Sequence, residues 1–254
     1  MHPFSRDNWP TVTATVTATA TGRRHPMTTP DRLIICDFDN TLVDSELVNA
    51  ELFVRFFRHE AGIESTPEDR DFVDSAAFPD IIRRYKQLYS DALDSLTEEQ
   101  VTRRFLDFKR AGISSFTVRR ATGIEDLLDL DSHLAIVSGS YTEEIVAVAG
   151  TAGLPLDRFS PILGSDQYHP WKPDPTGLIR AARTLGVRPE NTIVLEDSIS
   201  GLTAAIRAAM IPVHLAEFST VSPEDARAIG AFSFPTVRHV CRSVDALYRD
   251  AHGV

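Results

Sequence analysis

Five short apolar runs constrain this chain more than anything else in it. Leu33–Phe38, Leu134–Val137, Thr192–Leu195 and Pro212–Leu215 are the clearest, and a shorter run covers Pro161–Leu163. None alternates between apolar and polar residues. A strand with one wet face alternates, whereas a strand covered on both faces does not. Helical patterns fall between the runs, at Thr142–Ala149, Pro175–Leu185 and Ser200–Ala209. This β-α-β-α rhythm predicts an α/β fold, with a parallel sheet and helices on both of its faces.

One stretch breaks the rhythm. Residues 46–119 contain no convincing strand and read as helices over Leu47–Glu60, Phe78–Tyr89 and Thr97–Arg110. Thr97 and Gln100 have the spacing of a capping box. A crossover needs only about 10–12 residues, so the stretch is too long to be one. It reads as an inserted, all-helical domain.

Charge and cysteine content exclude several classes of partner. The formal net charge is −10. Such a surface repels nucleic-acid backbones and anionic membranes, so neither is expected as a partner. An anionic ligand would need a local cation to hold it. The two cysteines, Cys36 and Cys241, form neither a disulfide framework nor a zinc spacing, and a reducing cytoplasm fits them. No apolar run is long enough to span a bilayer. Residues 1–30 read as a disordered extension, and Thr11 to Thr21 are only Thr, Ala and Val. A true start at Met27 explains them best. A targeting peptide with Arg23 and Arg24, or a tail without function, are the alternatives.

Four polar clusters carry the chemistry. Asp37 and Asp39 stand two residues apart where the first run ends. Ligands of parallel sheets bind beyond such ends. Two adjacent carboxylates repel, which calls for a raised pKa or a cation between them. The same residues also fit a strand entering an Asp- and Asn-rich turn. Ser138, Gly139 and Ser140 follow the second clear run, with Ser140 and Glu143 at capping-box spacing. A helix N-terminus there would cradle phosphate oxygens, although a simple capped turn explains the residues too. Lys172 is one of three lysines, with Lys86 and Lys109, and lies among prolines that stiffen its loop. Its ammonium could neutralise a phosphate and a carboxylate, or be merely a solvated loop charge. Glu196 and Asp197 follow the third clear run, and oxygen ligands of this kind suit Mg2+. Helix capping accounts for Asp197 or Ser198 but leaves Glu196 unexplained. Each cluster alone is ambiguous. Their order, with three of the four placed just after a buried strand, is not.

With DFDNTLVDSE from Asp37 to Glu46, then IVSGS, KPDP and LEDSISG followed by LTAAIRAAM, the chain resembles the haloacid dehalogenase superfamily over residues 31–215. The resemblance is to its helical-cap branch of phosphatases and β-phosphoglucomutase-like proteins. It implies a Rossmann-like core over 31–45 and 120–254, a helical cap over 46–119, and Mg2+ as cofactor. It implies that Asp37 attacks phosphorus to form an aspartyl phosphate. Asp39 would protonate the leaving oxygen and then activate water. The substrate-binding set would be Thr41, Ser138, Gly139, Ser140 and Lys172. The metal set would be Asp37, Asp39 through its backbone carbonyl, Asp197, and Glu196 acting through water. The expected activity is hydrolysis of a small phosphorylated metabolite: a phosphosugar, a phosphoglycolate-like acid or a nucleotide. A monomer or weak homo-oligomer is expected.

Departures from the family pattern narrow this. Asp39 argues against dehalogenation. Asn49 stands where the mutases carry histidine, which weakens the phosphosugar-mutase alternative, with His59 as a remote substitute. The mutases' Gly-rich cap loop is replaced by Ser75-Ala-Ala-Phe78-Pro. Phe78, Arg83, Arg84 or Lys86 are expected to face the substrate, and hinges are expected at Asp44–Glu46 and Thr122–Gly123. A non-catalytic ligand-binding protein, the other alternative, would not need the intact acid pairs with Ser138 and Lys172.

Overall fold

The computed structural model describes residues 31–62, 78–88, 93 and 95–252. The N-terminal extension and Ser75–Ala77 of the cap loop lie outside the described residues. In chain order the elements are β1 (Leu33–Cys36), β2 (Val43–Asp44), α1 (Glu46–Ala61), α2 (Phe78–Leu88), α3 (Glu98–Gly112), β3 (Arg119–Arg120), α4 (Ile124–Leu128) and β4 (His133–Val137). There follow α5 (Thr142–Ala152), β5 (Phe159–Leu163), α6 (Thr176–Leu185), β6 (Thr192–Glu196), α7 (Ile199–Arg207), β7 (Ile211–Leu215), α8 (Pro223–Ala228), β8 (Phe232–Phe234) and α9 (Val237–His252).

Six strands form one parallel sheet in the order β5-β4-β1-β6-β7-β8. β1 lies inside the sheet, flanked by β4 and β6. All four of its residues are fully buried, as the unbroken run predicts. Its side chains split between two cores. Ile34 and Cys36 pack with Ile136, Leu195, Val148 and Val244 on one face. Leu33 and Ile35 pack with Val137, Val194, Leu178 and Ala205 on the other. Helices therefore cover both faces, and the chemistry is left at the strand ends.

The helical cap has a core of its own. Phe57 stacks on Tyr85 with centroids 4.2 Å apart, and Phe53 stacks on Phe105 at the same distance. Such pairs contribute about 0.5–1.5 kcal/mol each beyond burial. Thr97 and Gln100 form the expected capping box at the start of α3. The chain enters and leaves the cap through one antiparallel ribbon, Val43 opposite Arg120 and Asp44 opposite Arg119. Arg119 clamps it by a 2.6 Å ion pair to Asp44. At the second expected hinge the chain is tied to its surroundings. Thr122 is tied to Glu217 through both its N–H and its hydroxyl. A Cβ on Gly123 would lie 2.4 Å from the backbone nitrogen of Arg238. These contacts join Thr122 and Gly123 to the core. Among the described residues, no helix is long and apolar enough to cross a membrane.

Candidate active site

Three strand ends and one loop build the site. Asp37 extends β1, its N–H reaching Leu195 O at 2.9 Å. The chain then reverses tightly. Asn40 takes a left-handed φ of 55°, which asparagine tolerates better than most residues, and its N–H reaches Val43 O at 2.7 Å. This turn keeps Asp37 and Asp39 at the same edge of the sheet. Ser138 extends β4 through its N–H to Leu163 O at 3.0 Å. Glu196 ends β6, and Asp197 follows it.

Lys172 arrives from the loop after β5 and ties these ends together. Its ammonium donates to Asp37 Oδ1 at 2.7 Å, to Glu196 Oε1 at 2.5 Å and to Val137 O at 2.8 Å. An ammonium has three donors, so all are engaged. Lys172 is therefore no solvated loop residue: its side chain is 11% exposed. Asp39 is held from three sides. Ser45 Oγ donates to Oδ1 at 2.5 Å and Asn49 Nδ2 to the same oxygen at 3.0 Å. Ser140 Oγ donates to Oδ2 at 2.6 Å.

Residues 34–214 match the haloacid dehalogenase-like hydrolase family. The chain belongs to that family. It is 26% identical to the validoxylamine A 7'-phosphate phosphatase of Streptomyces hygroscopicus subsp. limoneus, over 72% of this chain and 85% of that one. It is 28% identical to the 6-phosphogluconate phosphatase of Escherichia coli (strain K12), over 70% and 79%. The crystal structure of CbbY from Rhodobacter sphaeroides, in complex with phosphate, shares the fold. It superposes with a TM-score of 0.70 at 21% identity, covering 82% of this chain and 96% of that one. The match lies with the phosphatases of the haloacid dehalogenase-like hydrolases.

In this hydrolase the site carries more negative than positive charge. Burial pushes the Asp37 carboxyl up to about 8, with Lys172 acting against the shift and Glu196 adding to it. Burial also raises Asp197 well above the ordinary carboxylate range, and the charges of Glu196 and Asp37 add to the rise. Burial alone would lower Lys172, but Asp37 and Glu196 outweigh it and hold the ammonium well above its ordinary value. Asp37 and Glu196 thus share one ammonium, with Asp197 near enough to feel both acids, an imbalance that a divalent cation would relieve.

The donors fit Mg2+, which takes one or two carboxylates with other oxygens. Among the described residues no three acidic, His or Cys side chains converge on one point. The set that the family resemblance implies, Asp37, Asp197 and the Asp39 backbone carbonyl, offers such an ion two carboxylates and a carbonyl oxygen. Both carboxylate oxygens of Glu196 have protein partners. One oxygen takes Lys172, and the other takes Ser198 N–H at 3.3 Å and Ser198 Oγ at 2.9 Å. Its carboxylate also lies where the Cβ of any residue but glycine at 201 would be, at 1.8 Å.

The other expected residues divide. Thr41 is buried and reaches Asp197 Oδ1 at 3.4 Å, so it supports the acid cluster. Ser138 is 1% exposed, and its Oγ accepts from Ser140 N–H at 3.1 Å. Gly139 lies between the two serines, half-buried. The expected capping box shifts by one residue: Glu144 accepts from Tyr141 N–H at 2.8 Å, which frees the Ser140 hydroxyl for Asp39. The cap side chains have partners of their own. Lys86 turns onto the cap's own carbonyls of Leu93 and Leu96. Arg83 pairs with Asp80 at 2.5 Å. His59 is exposed and contacts Glu60 and the Phe108 ring. The side chain of Phe78 lies outside the described residues.

Some supports were not foreseen. Ser45 lies in the motif and Asn49 just beyond it, but neither was foreseen as a donor to Asp39. Ser219 Oγ donates to the Asp197 carbonyl at 2.5 Å and is itself held by His214 at 3.0 Å. No local pattern marks Ser219, because its partners are 5 and 22 residues away.

Proposed function

We propose that this hydrolase cleaves a small phosphate monoester through a phosphorylated aspartate, with Mg2+ as cofactor. The observation that carries the reading is the pairing of Asp37, tied to Lys172, with Asp39, held by Ser45, Asn49 and Ser140. One carboxylate is positioned as nucleophile and the other as proton carrier. An Asp37 oxygen bonds to phosphorus as the ester oxygen leaves. Asp39 gives that oxygen its proton, releasing an alcohol. Asp39 then takes a proton from water, whose oxygen attacks phosphorus, breaks the bond to Asp37 and frees phosphate. The Ser138 hydroxyl, which accepts from Ser140 N–H and keeps its own proton to donate, holds a phosphoryl oxygen. Lys172 supplies charge, or trades one of its three bonds for a phosphoryl oxygen.

Asp37, Asp197 and the Asp39 carbonyl would hold Mg2+. Its chemistry is neutralisation of charge on the transferring group. The relatives named for validoxylamine A 7'-phosphate and 6-phosphogluconate support a phosphosugar-like substrate. Asn49 favours hydrolysis over phosphate return, because an amide does not exchange a proton near neutral pH. The cap is proposed to turn on the β2–β3 ribbon and to exclude water from the first step.

The test is phosphate release from a panel of phosphosugars, phosphoglycolate, nucleotides and p-nitrophenyl phosphate, in Mg2+ and in EDTA. Metal-dependent release by the wild type, lost in Asp37→Asn, is the expected result. Equal release by Asp37→Asn would refute the nucleophile. Isomerisation of a phosphosugar without free phosphate would turn the reading to a mutase.

A further inference from the structure

Lys109, in the cap helix α3, is buried against the core. Its side chain is 3% exposed, and so is that of its partner Glu144 in the first turn of α5. The ammonium meets Glu144 Oε1 at 2.7 Å. The other oxygen, Oε2, accepts from Tyr141 N–H at 2.8 Å. In return, Glu144 N–H donates to Tyr141 O at 3.0 Å. One carboxylate thus holds both the cap and the backbone just after Ser140. Ser140 N–H reaches Ser138 Oγ, and Ser140 Oγ reaches Asp39 Oδ2. The cap is therefore connected to the proton carrier through one short run of backbone.

Neighbouring pairs have no such connection. Arg103 and Arg110 also cross from α3 to the core, meeting Glu143 at 3.1 and 2.6 Å. Both guanidiniums are 57% exposed, so water can replace them at little cost. Water does not reach Glu144. If Lys109 withdraws, a buried charge is left unpaired, and the start of α5 must move or take up a proton.

We propose that Glu144 is a positioning residue for the phosphate-binding turn, and that Lys109 sets it from the cap. The seat of the cap on the core then fixes Ser138–Ser140 and, through Ser140, Asp39. A cap lifted from this seat loosens the turn, so the turn is assembled only beneath a seated cap. This rests on the reading of that turn as the phosphate site.

The experiment follows amide hydrogen exchange over residues 138–142 in the full chain. It compares wild type, Lys109→Met, Lys109→Met/Glu144→Gln and Arg110→Ala. Exchange at the turn should quicken about tenfold in Lys109→Met, as expected for local opening. The double variant should return to about the wild-type rate, because the amide carbonyl still accepts from Tyr141 without a buried charge. Arg110→Ala should be unchanged. With p-nitrophenyl phosphate, kcat should fall about tenfold in Lys109→Met, with little change in KM, and recover in the double variant. If Lys109→Met does not fold, Lys109→Met/Glu144→Leu, which lacks the acceptor, replaces it in the comparison. An unchanged turn in Lys109→Met, or no recovery in the double variant, overturns the proposal. A wild type that releases no phosphate defeats the phosphatase reading, while the exchange comparison still judges the positioning.

Discussion

Lys109 and Lys172 each have most of the side chain covered beside carboxylates, and their surroundings differ in charge balance. Lys109 meets one acid, Glu144, and the charges cancel. Lys172 meets Asp37 and Glu196, with Asp197 close enough to feel both acids. A balanced pair costs desolvation but leaves no charge over, so it can lock two elements together. An acid surplus is costly unless another cation joins it. Burial therefore does not distinguish structure from chemistry here. The count of charges sharing the buried space does.

The largest effect should come from removing the nucleophile. Asp37→Asn should lower kcat on the order of 10^3-fold or more, measured as phosphate release in Mg2+, with the folded state intact by circular dichroism. The balanced pair should show its strength in stability. Lys109→Met should cost about 3–5 kcal/mol, because it strands Glu144. In urea unfolding, Lys109→Met/Glu144→Gln should recover most of that loss. Equal losses in the single and double variants would break the contrast between the two lysines.

A smaller effect tests the surplus directly. Mg2+ at a hundredfold excess over its dissociation constant should stabilise the fold by about 2.7 kcal/mol, read as a higher melting temperature than in EDTA. Asp197→Asn should lose most of this gain. The smallest effect concerns His214, which is buried and held by Ser233 and Ser219. Burial lowers its pKa, helped by Arg227 and opposed by Glu196. Unfolded, the imidazole takes a proton near its ordinary value of about 6.5. Folded, it stays neutral to lower pH. Stability should therefore fall as pH drops through that value and below it. Comparing pH-dependent melts of wild type and His214→Asn isolates the contribution.

The sheet was legible because burial on both faces leaves a mark on consecutive residues. The strand runs at Leu33, Leu134, Thr192 and Pro212 all correspond to observed strands. The C-terminal part was less legible. β8 has only three residues, Phe232–Phe234. The ribbon β2–β3 has two residues on each side and pairs positions 75 and 77 apart. Elements so short carry no periodicity. The cap helices were readable, but the outward or inward facing of Lys86 and Arg83 was not, since a basic helix face has the same pattern whether it meets solvent or a carbonyl.

By itself, the sequence determined the parallel α/β core, the helical insert, and the order of the acid, hydroxyl, lysine and acid clusters. Those are consequences of local composition: runs, breaks and turn residues. Only the tertiary structure decided that Lys172 spends its three donors on Asp37, Glu196 and Val137. It also decided that Ser140 serves Asp39, that Glu196 is engaged with Lys172 and Ser198, and that Lys109 reaches Glu144 across the cap–core seam. Apart from Ser198, which is two residues from Glu196, these partners lie 24 to 135 residues apart along the chain. A hydrogen bond's direction depends on where the fold brings two chain segments together, and no local pattern of residues records that.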